Sequence, residues 1–124
     1  MIISILIGIL GLGIVVFVHE LGHFLAAKAS GIEVEKFSLG WGKKLFSYKG
    51  KKTKYIISLF PIGGYCKLKG EELFRKAVDE NAQAVDPSPG SLFSANPLKR
   101  IFTYIAGPAA NLIFSIIVLS VIWF

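Results

Sequence analysis

Three residues near the start of the chain have the types and spacing for hydrolytic metal chemistry. His19-Glu20-Leu21-Gly22-His23 matches the pattern H-E-x-x-H. On a helix, positions i and i+4 share a face, so His19 and His23 can point at one zinc ion, Zn2+. Glu20 lies beside them and can reach a water on that ion without being a ligand. Zinc lowers the pKa of such a water to about 7, and a glutamate can take its proton during attack on a carbonyl. Gly22 and Ala26 keep the neighbouring helix surface open to close approach. The bland alternative is two buried helix histidines and a snorkelling glutamate. Position argues against it: the trio ends a long apolar run, and an acidic residue near the centre of a membrane helix costs about 2.5–3.5 kcal/mol on insertion scales, so such groups are usually functional.

The elements that must position this trio follow from the distribution of apolar residues. The chain has 124 residues, 53% of them hydrophobic, and this content is concentrated at the two ends. Neither Met1 to Val18 nor Ile101 to Phe124 contains a charged side chain. At about 1.5 Å per residue the second run reaches about 36 Å, enough to cross a hydrocarbon core of about 30 Å. Transmembrane helices are therefore expected over 1–29 and 96–124. A cleaved signal peptide is the competing reading of the first, and Ala27-Lys28-Ala29 even offers a cleavage site. Met1-Ile2-Ile3 supplies no basic n-region, however, and the apolar stretch is too long and contains Glu20. With Lys28 at the edge of the hydrocarbon, His23 lies about 7 Å and His19 about 13 Å inside. A metal held there would sit within the bilayer.

The net charge is +6, and all 14 Lys and Arg lie between Lys28 and Arg100. Basic residues stay on the cytoplasmic side, so residues 28–100 are expected to be cytoplasmic, with the N-terminus outside. This describes a multi-pass protein of the inner (plasma) membrane, with the lipid bilayer as partner and its anionic heads attracting the basic segment. The aromatics form no stacking surface, so no nucleic acid partner is expected. The single cysteine, Cys66, allows no internal disulfide and has no Cys or His partner at metal spacing, which reads as a small packing residue.

Residues 30–70 are β-like. The runs EKFSL, KLFSY, KYIISLF and GYCKLKG are aromatic or β-branched, and Lys49-Gly50-Lys51 and Pro61-Ile62-Gly63-Gly64 separate them as turns. They predict a small antiparallel sheet of three or four strands, associated with the membrane face. Tyr55–Leu59 and Tyr65–Leu68 are its expected free edges, and Gly63-Gly64 would let a substrate backbone come close. Residues 71–95 are polar and partly acidic and predict a flexible linker, with a short helix over 72–84 as the alternative. The last helix starts at Asn96, a good N-cap, with Pro97 at its first position. Pro108 removes a hydrogen bond from the Tyr104 carbonyl and predicts a kink, and Asn111, polar at membrane depth, needs a partner. Ser4, Gly8 and Gly11 offer a small-residue surface to another helix. The fold class is thus a membrane protein, mainly α, with two transmembrane helices joined by a cytoplasmic segment carrying a small antiparallel β-sheet.

Three blocks, HELGHFLAAK, FPIGGYCKLKGE and NPLKRIFTYIAGPAANLIF, stand in this order, within a likeness that extends over nearly the whole chain. Together they resemble the intramembrane zinc metalloproteases of the site-2 protease family, in its bacterial RseP-like branch. The resemblance implies an endopeptidase that cleaves transmembrane segments of substrate proteins, such as anti-sigma factors or signal-peptide remnants. It implies His19 and His23 as zinc ligands and Glu20 as catalytic base. The stretch through Gly63, Gly64 and Tyr65 matches the family's membrane-associated β region, implicated in substrate handling. Gly107 to Asn111 matches its G-x-x-x-N motif near the active site, which makes Asn111 a candidate substrate-binding residue. The resemblance also implies a third ligand, an aspartate in an L-D-G-G-like motif on a later helix. Neither Asp79 nor Asp86 is followed by glycine or lies in an apolar run. The chain is accordingly expected to be the N-terminal part of a longer enzyme, inactive by itself. A non-catalytic membrane module that binds substrate or partner helices is the alternative. A zinc-dependent CAAX-type peptidase is a third reading, against which the Gly-Pro-x-x-Asn and Gly-Gly-Tyr blocks argue.

Overall fold

A computed structural model of the chain describes residues 1–80 and 88–124. The elements run α1 (Ile2–Ser30), β1 (Val34–Lys49), β2 (Lys54–Leu68), α2 (Glu71–Glu80) and α3 (Pro97–Trp123). Both α1 and α3 are long and apolar enough to cross a membrane. Their side chains fit this character: Leu6 and Leu10 on α1 and Leu112 and Ile116 on α3 stand exposed.

Local chemistry sets where the helices begin and end. Gly31 takes the left-handed conformation, φ 77°, and closes α1. Its N–H donates to the Lys28 carbonyl and that of Ile32 to the Ala27 carbonyl, a Schellman cap with Ile32 packed beside Ala27. At the start of α3 the Asn96 side-chain oxygen accepts from the Leu98 N–H at 3.0 Å, and Pro97 occupies the first turn as its sequence position suggests. The helix runs continuously through Pro108.

β1 and β2 form one two-stranded antiparallel sheet. Both strands bend, at Gly40 and Gly42 (φ 80° and 92°) and at Gly63 (φ 82°). The bends lay four segments side by side, in the order 44–49, 54–58, 34–39 and 64–68. The three or four strands expected from sequence are these segments. The pairs Lys36↔Lys54 to Leu39↔Ile57 run in the same direction, so the centre of the sheet is locally parallel. Residues 55–57 consequently pair on both sides and are no edge, contrary to expectation for Tyr55–Leu59, whereas 64–68 pair only with 34–39.

The sheet docks on α1 through aromatic contacts. Phe17 and Phe24, two turns apart, meet Phe37 at ring-centroid distances of 6.4 and 5.1 Å, and Tyr55 stands 6.1 Å from Phe24. Beyond them the 59–63 turn reaches Gly13, where a Cβ would lie 2.4 Å from the Pro61 carbonyl oxygen. Gly8 and Gly11 face open space. The close approaches on α1 therefore fall at Gly13 and Gly22, not at the Ser4–Gly8–Gly11 surface.

A small core of Ala27, Ile32, Val34, Leu68 and Leu92 gathers the end of α1, both sheet ends and the segment before α3. Backbone hydrogen bonds stitch it: Glu33 N–H to the Gly90 carbonyl, Lys69 N–H to Glu33 and Leu92 N–H to Lys69, at 2.8–2.9 Å. The Glu33 carboxylate bridges Lys52 and Lys69, and these cations hold it below the usual carboxylate range. Within the stretch expected as a flexible linker, residues 71–80 form α2 and the buried Leu92 joins the core. Glu71 in the first turn of α2 accepts from the Leu68 N–H at 3.1 Å, tying the helix to the end of β2. Asp86 and its neighbours from 81 to 87 lie outside the described residues.

Candidate metal centre

His19, Glu20 and His23 lie in the C-terminal half of α1, each half-buried, where α3 crosses it. Two glycines allow that crossing. A Cβ at Gly22 would stand 2.4 Å from the Ala106 carbonyl oxygen and 2.7 Å from the Ala110 Cβ. A Cβ at Gly107 would stand 2.3 Å from His23 Nε2 and 2.8 Å from His19 Nε2. Any larger residue at either position would push the helices apart or fill the space in front of the imidazoles.

The two histidines turn the same nitrogen toward each other, with Nε2 to Nε2 3.1 Å and the rings inclined at 80°. Two nitrogens on one tetrahedral zinc ion, at about 2.0–2.1 Å each, stand about 3.3 Å apart. The pair thus has the span of two ligands to a single metal, and the glycine at 107 keeps the adjoining space clear. Their other nitrogens are held by α3. His23 Nδ1 donates to the Thr103 carbonyl at 2.8 Å, and His19 Nδ1 stands 3.2 Å from the Asn111 amide nitrogen. Thr103, Gly107 and Asn111 recur every fourth residue, so one stripe of α3 faces both histidines. Among the described residues no group of three His, Cys, Asp or Glu side chains could hold a metal.

Glu20 and His23 open into a cleft of about 220 Å³, also lined by Tyr65, Cys66, Leu68, Glu71 and Tyr104. Tyr65, Cys66 and Glu71 continue into a larger neighbouring groove that reaches Arg75 on α2. The Cys66 thiol is pushed up to about 12, first by burial and then by the charges of Glu20 and Glu71. It is inert at neutral pH, in keeping with a packing role.

The structure brings most of the sequence candidates together, in differing ways. Gly64 lies at the site: a Cβ there would come within 3.7 Å of Glu20 Cγ and within 2.7 Å of the Ser38 carbonyl oxygen. Tyr65 lines the cleft with Glu20. Gly63 stands apart, its nearest neighbour the Trp41 indole, where a Cβ would meet Nε1 at 2.7 Å. Asn111 meets His19 itself. Reading side chains alone misses Thr103, since its backbone carbonyl makes the contact. Its place four residues before Gly107 and eight before Asn111 was the available signal.

Comparison with known proteins agrees with this geometry. The family model described as peptidase family M50 matches residues 7–124. A Treponema pallidum protein is 47% identical over 120 residues, 97% of this chain and 27% of its own length. One from Borreliella burgdorferi is 44% identical over 92% of this chain and 26% of its own length. A third, from Chlamydia trachomatis, is 42% identical over 93% of this chain and 19% of its own length. All three carry the name "Putative zinc metalloprotease". The chain spans about a quarter or less of these relatives. The H-E-x-x-H motif and the match over residues 7–124 place this membrane protein in peptidase family M50, the site-2 protease family of metalloproteases.

Proposed function

We propose that this chain is part of a zinc-dependent intramembrane endopeptidase, with His19 and His23 as two zinc ligands and Glu20 as catalytic base. The observation that carries the reading is the facing pair of Nε2 atoms, 3.1 Å apart, beside a cleft that also holds Glu20. Two histidines leave zinc under-ligated, so a third protein ligand comes from residues outside the described ones. The family resemblance suggests an aspartate of the longer protein.

When bound, zinc supplies Lewis-acid chemistry, acidifying water and polarising the scissile carbonyl. The chain's own residues do the rest. Glu20 takes a proton from the attacking water and delivers it to the departing amine nitrogen. Thr103 and Asn111 hold the two imidazoles in place. The substrate is a transmembrane segment, whose carbonyls are hidden in its own helical hydrogen bonds and must be exposed first. The edge 64–68, beside Glu20, offers replacement backbone partners to an extended strand. Anti-sigma factors and signal-peptide remnants are substrates of this kind. The basic residues between Lys28 and Arg100 set that segment on the cytoplasmic side of the plasma membrane, with the N-terminus outside.

Glu20→Gln in the full-length protein tests the reading. It should keep the metal and abolish cleavage, because both ligands remain and the base is lost. A fall in turnover of less than about tenfold would remove Glu20 from this role. Metal binding without cleavage of any membrane substrate by the unmutated protein would favour the non-catalytic module instead.

A further inference from the structure

The hydrogen bonds around the two histidines are unequal, and the inequality concerns Asn111. A neutral imidazole carries one proton, and whichever nitrogen bears it cannot ligate a metal. His23 is settled by its partner. The Thr103 carbonyl can only accept, so His23 Nδ1 bears the proton and Nε2 carries the free lone pair.

His19 has a different partner. Its Nδ1 faces the Asn111 amide nitrogen, a donor, at 3.2 Å, while Asn111 Oδ1 is buried without a hydrogen-bond partner. In that arrangement His19 Nδ1 accepts, and the proton sits on Nε2, the atom that faces His23. Such a His19 could not share a metal with His23. Turning the amide about its terminal bond exchanges oxygen and nitrogen, which have nearly the same shape and are told apart only by their hydrogen-bond partners. Oδ1 then accepts from His19 Nδ1–H, and both histidines present Nε2 lone pairs across the 3.1 Å gap.

We propose that Asn111 is a metal-site positioning residue: its side-chain oxygen accepts from His19 Nδ1–H and fixes the tautomer and ring orientation in which His19 can bind metal. This rests on the zinc reading of His19 and His23 above. The two histidines are thereby held by two kinds of acceptor on one stripe of α3, a backbone carbonyl at Thr103 and a side-chain oxygen at Asn111. Only the second can be removed by mutation. The role also accounts for a polar side chain at membrane depth, where an unpartnered amide is costly.

The test measures zinc affinity of the purified full-length protein by competition with a chelator, so activity is not the readout. Asn111→Leu removes the acceptor at nearly the same volume, and Asn111→Asp restores one. Removing the outer partner of a ligating histidine typically weakens metal binding about 10–100-fold. Asn111→Leu should fall in that range and Asn111→Asp should stay within about threefold of the unmutated protein. If Asn111→Leu does not fold, Asn111→Ala takes its place with the same expectation. Unchanged affinity in Asn111→Leu or Asn111→Ala overturns the assignment, as does an Asn111→Asp protein as weak as Asn111→Leu. His19→Ala/His23→Ala is measured alongside. If that variant keeps its zinc, the zinc reading itself fails; if it loses zinc while Asn111→Leu keeps it, only the role of Asn111 fails.

Discussion

Gly107 on α3 lies so close to His23 on α1 that a Cβ added to it would stand 2.3 Å from His23 Nε2. The space in front of the imidazoles therefore exists because residue 107 has no side chain. Gly107→Ala is expected to displace His23 or α3, with a stability cost of about 1–3 kcal/mol for the overpacking and loss of most bound zinc. Thermal unfolding and metal content of the full-length variant check both. Normal zinc content in Gly107→Ala would show that the clearance is not needed by the metal.

The free edge at 64–68 predicts a selective effect. Proline at Cys66 removes a backbone donor there, and Gly64→Pro also crowds the Ser38 carbonyl oxygen. Either should reduce cleavage of stable helical substrates more than cleavage of substrates with helix-breaking residues near the cut. The comparison is made in membranes, with expression and zinc content checked. Equal losses for both substrates at normal zinc content would mean that the sheet only anchors the protein at the lipid surface.

Much of this arrangement was legible in the sequence. His19, Glu20 and His23 were readable because a helix fixes the relation of i to i+4. The cap at Asn96 and Pro97 was readable because N-terminal turns need a side-chain acceptor and tolerate proline. The edge at Tyr55–Leu59 was misjudged because local patterning reveals strands but not their order in the sheet. That order depends on the bends at Gly40, Gly42 and Gly63. Order at 71–80 and around Leu92 was underestimated, since Leu92-Phe93 is a short apolar pair in a polar stretch, and only the distant partners Ala27 and Val34 make Leu92 core. Thr103 was missed because it acts through its backbone, and only its place in the four-residue repeat with Gly107 and Asn111 pointed to it.

Cys66 should be slow to alkylate despite lining the cleft. With the thiol pushed up to about 12, it stays protonated below that pH and only about one molecule in ten thousand carries the thiolate at pH 8. The rate with iodoacetamide at pH 8 should be roughly a thousandfold below that of a free cysteine, and it should go on rising with pH well beyond the point, at about 8.5, where free cysteine levels off. A rate at pH 8 like that of free cysteine would contradict the burial of Cys66 against the Glu20 and Glu71 charges.

The central claim is that His19 and His23 jointly hold the metal. Its most direct measurement is the zinc content of purified full-length His19→Ala/His23→Ala protein beside that of the unmutated protein. The structure predicts one zinc per chain in the unmutated protein and none in the variant, since the third ligand alone cannot retain the ion. One zinc per chain in both would contradict the assignment.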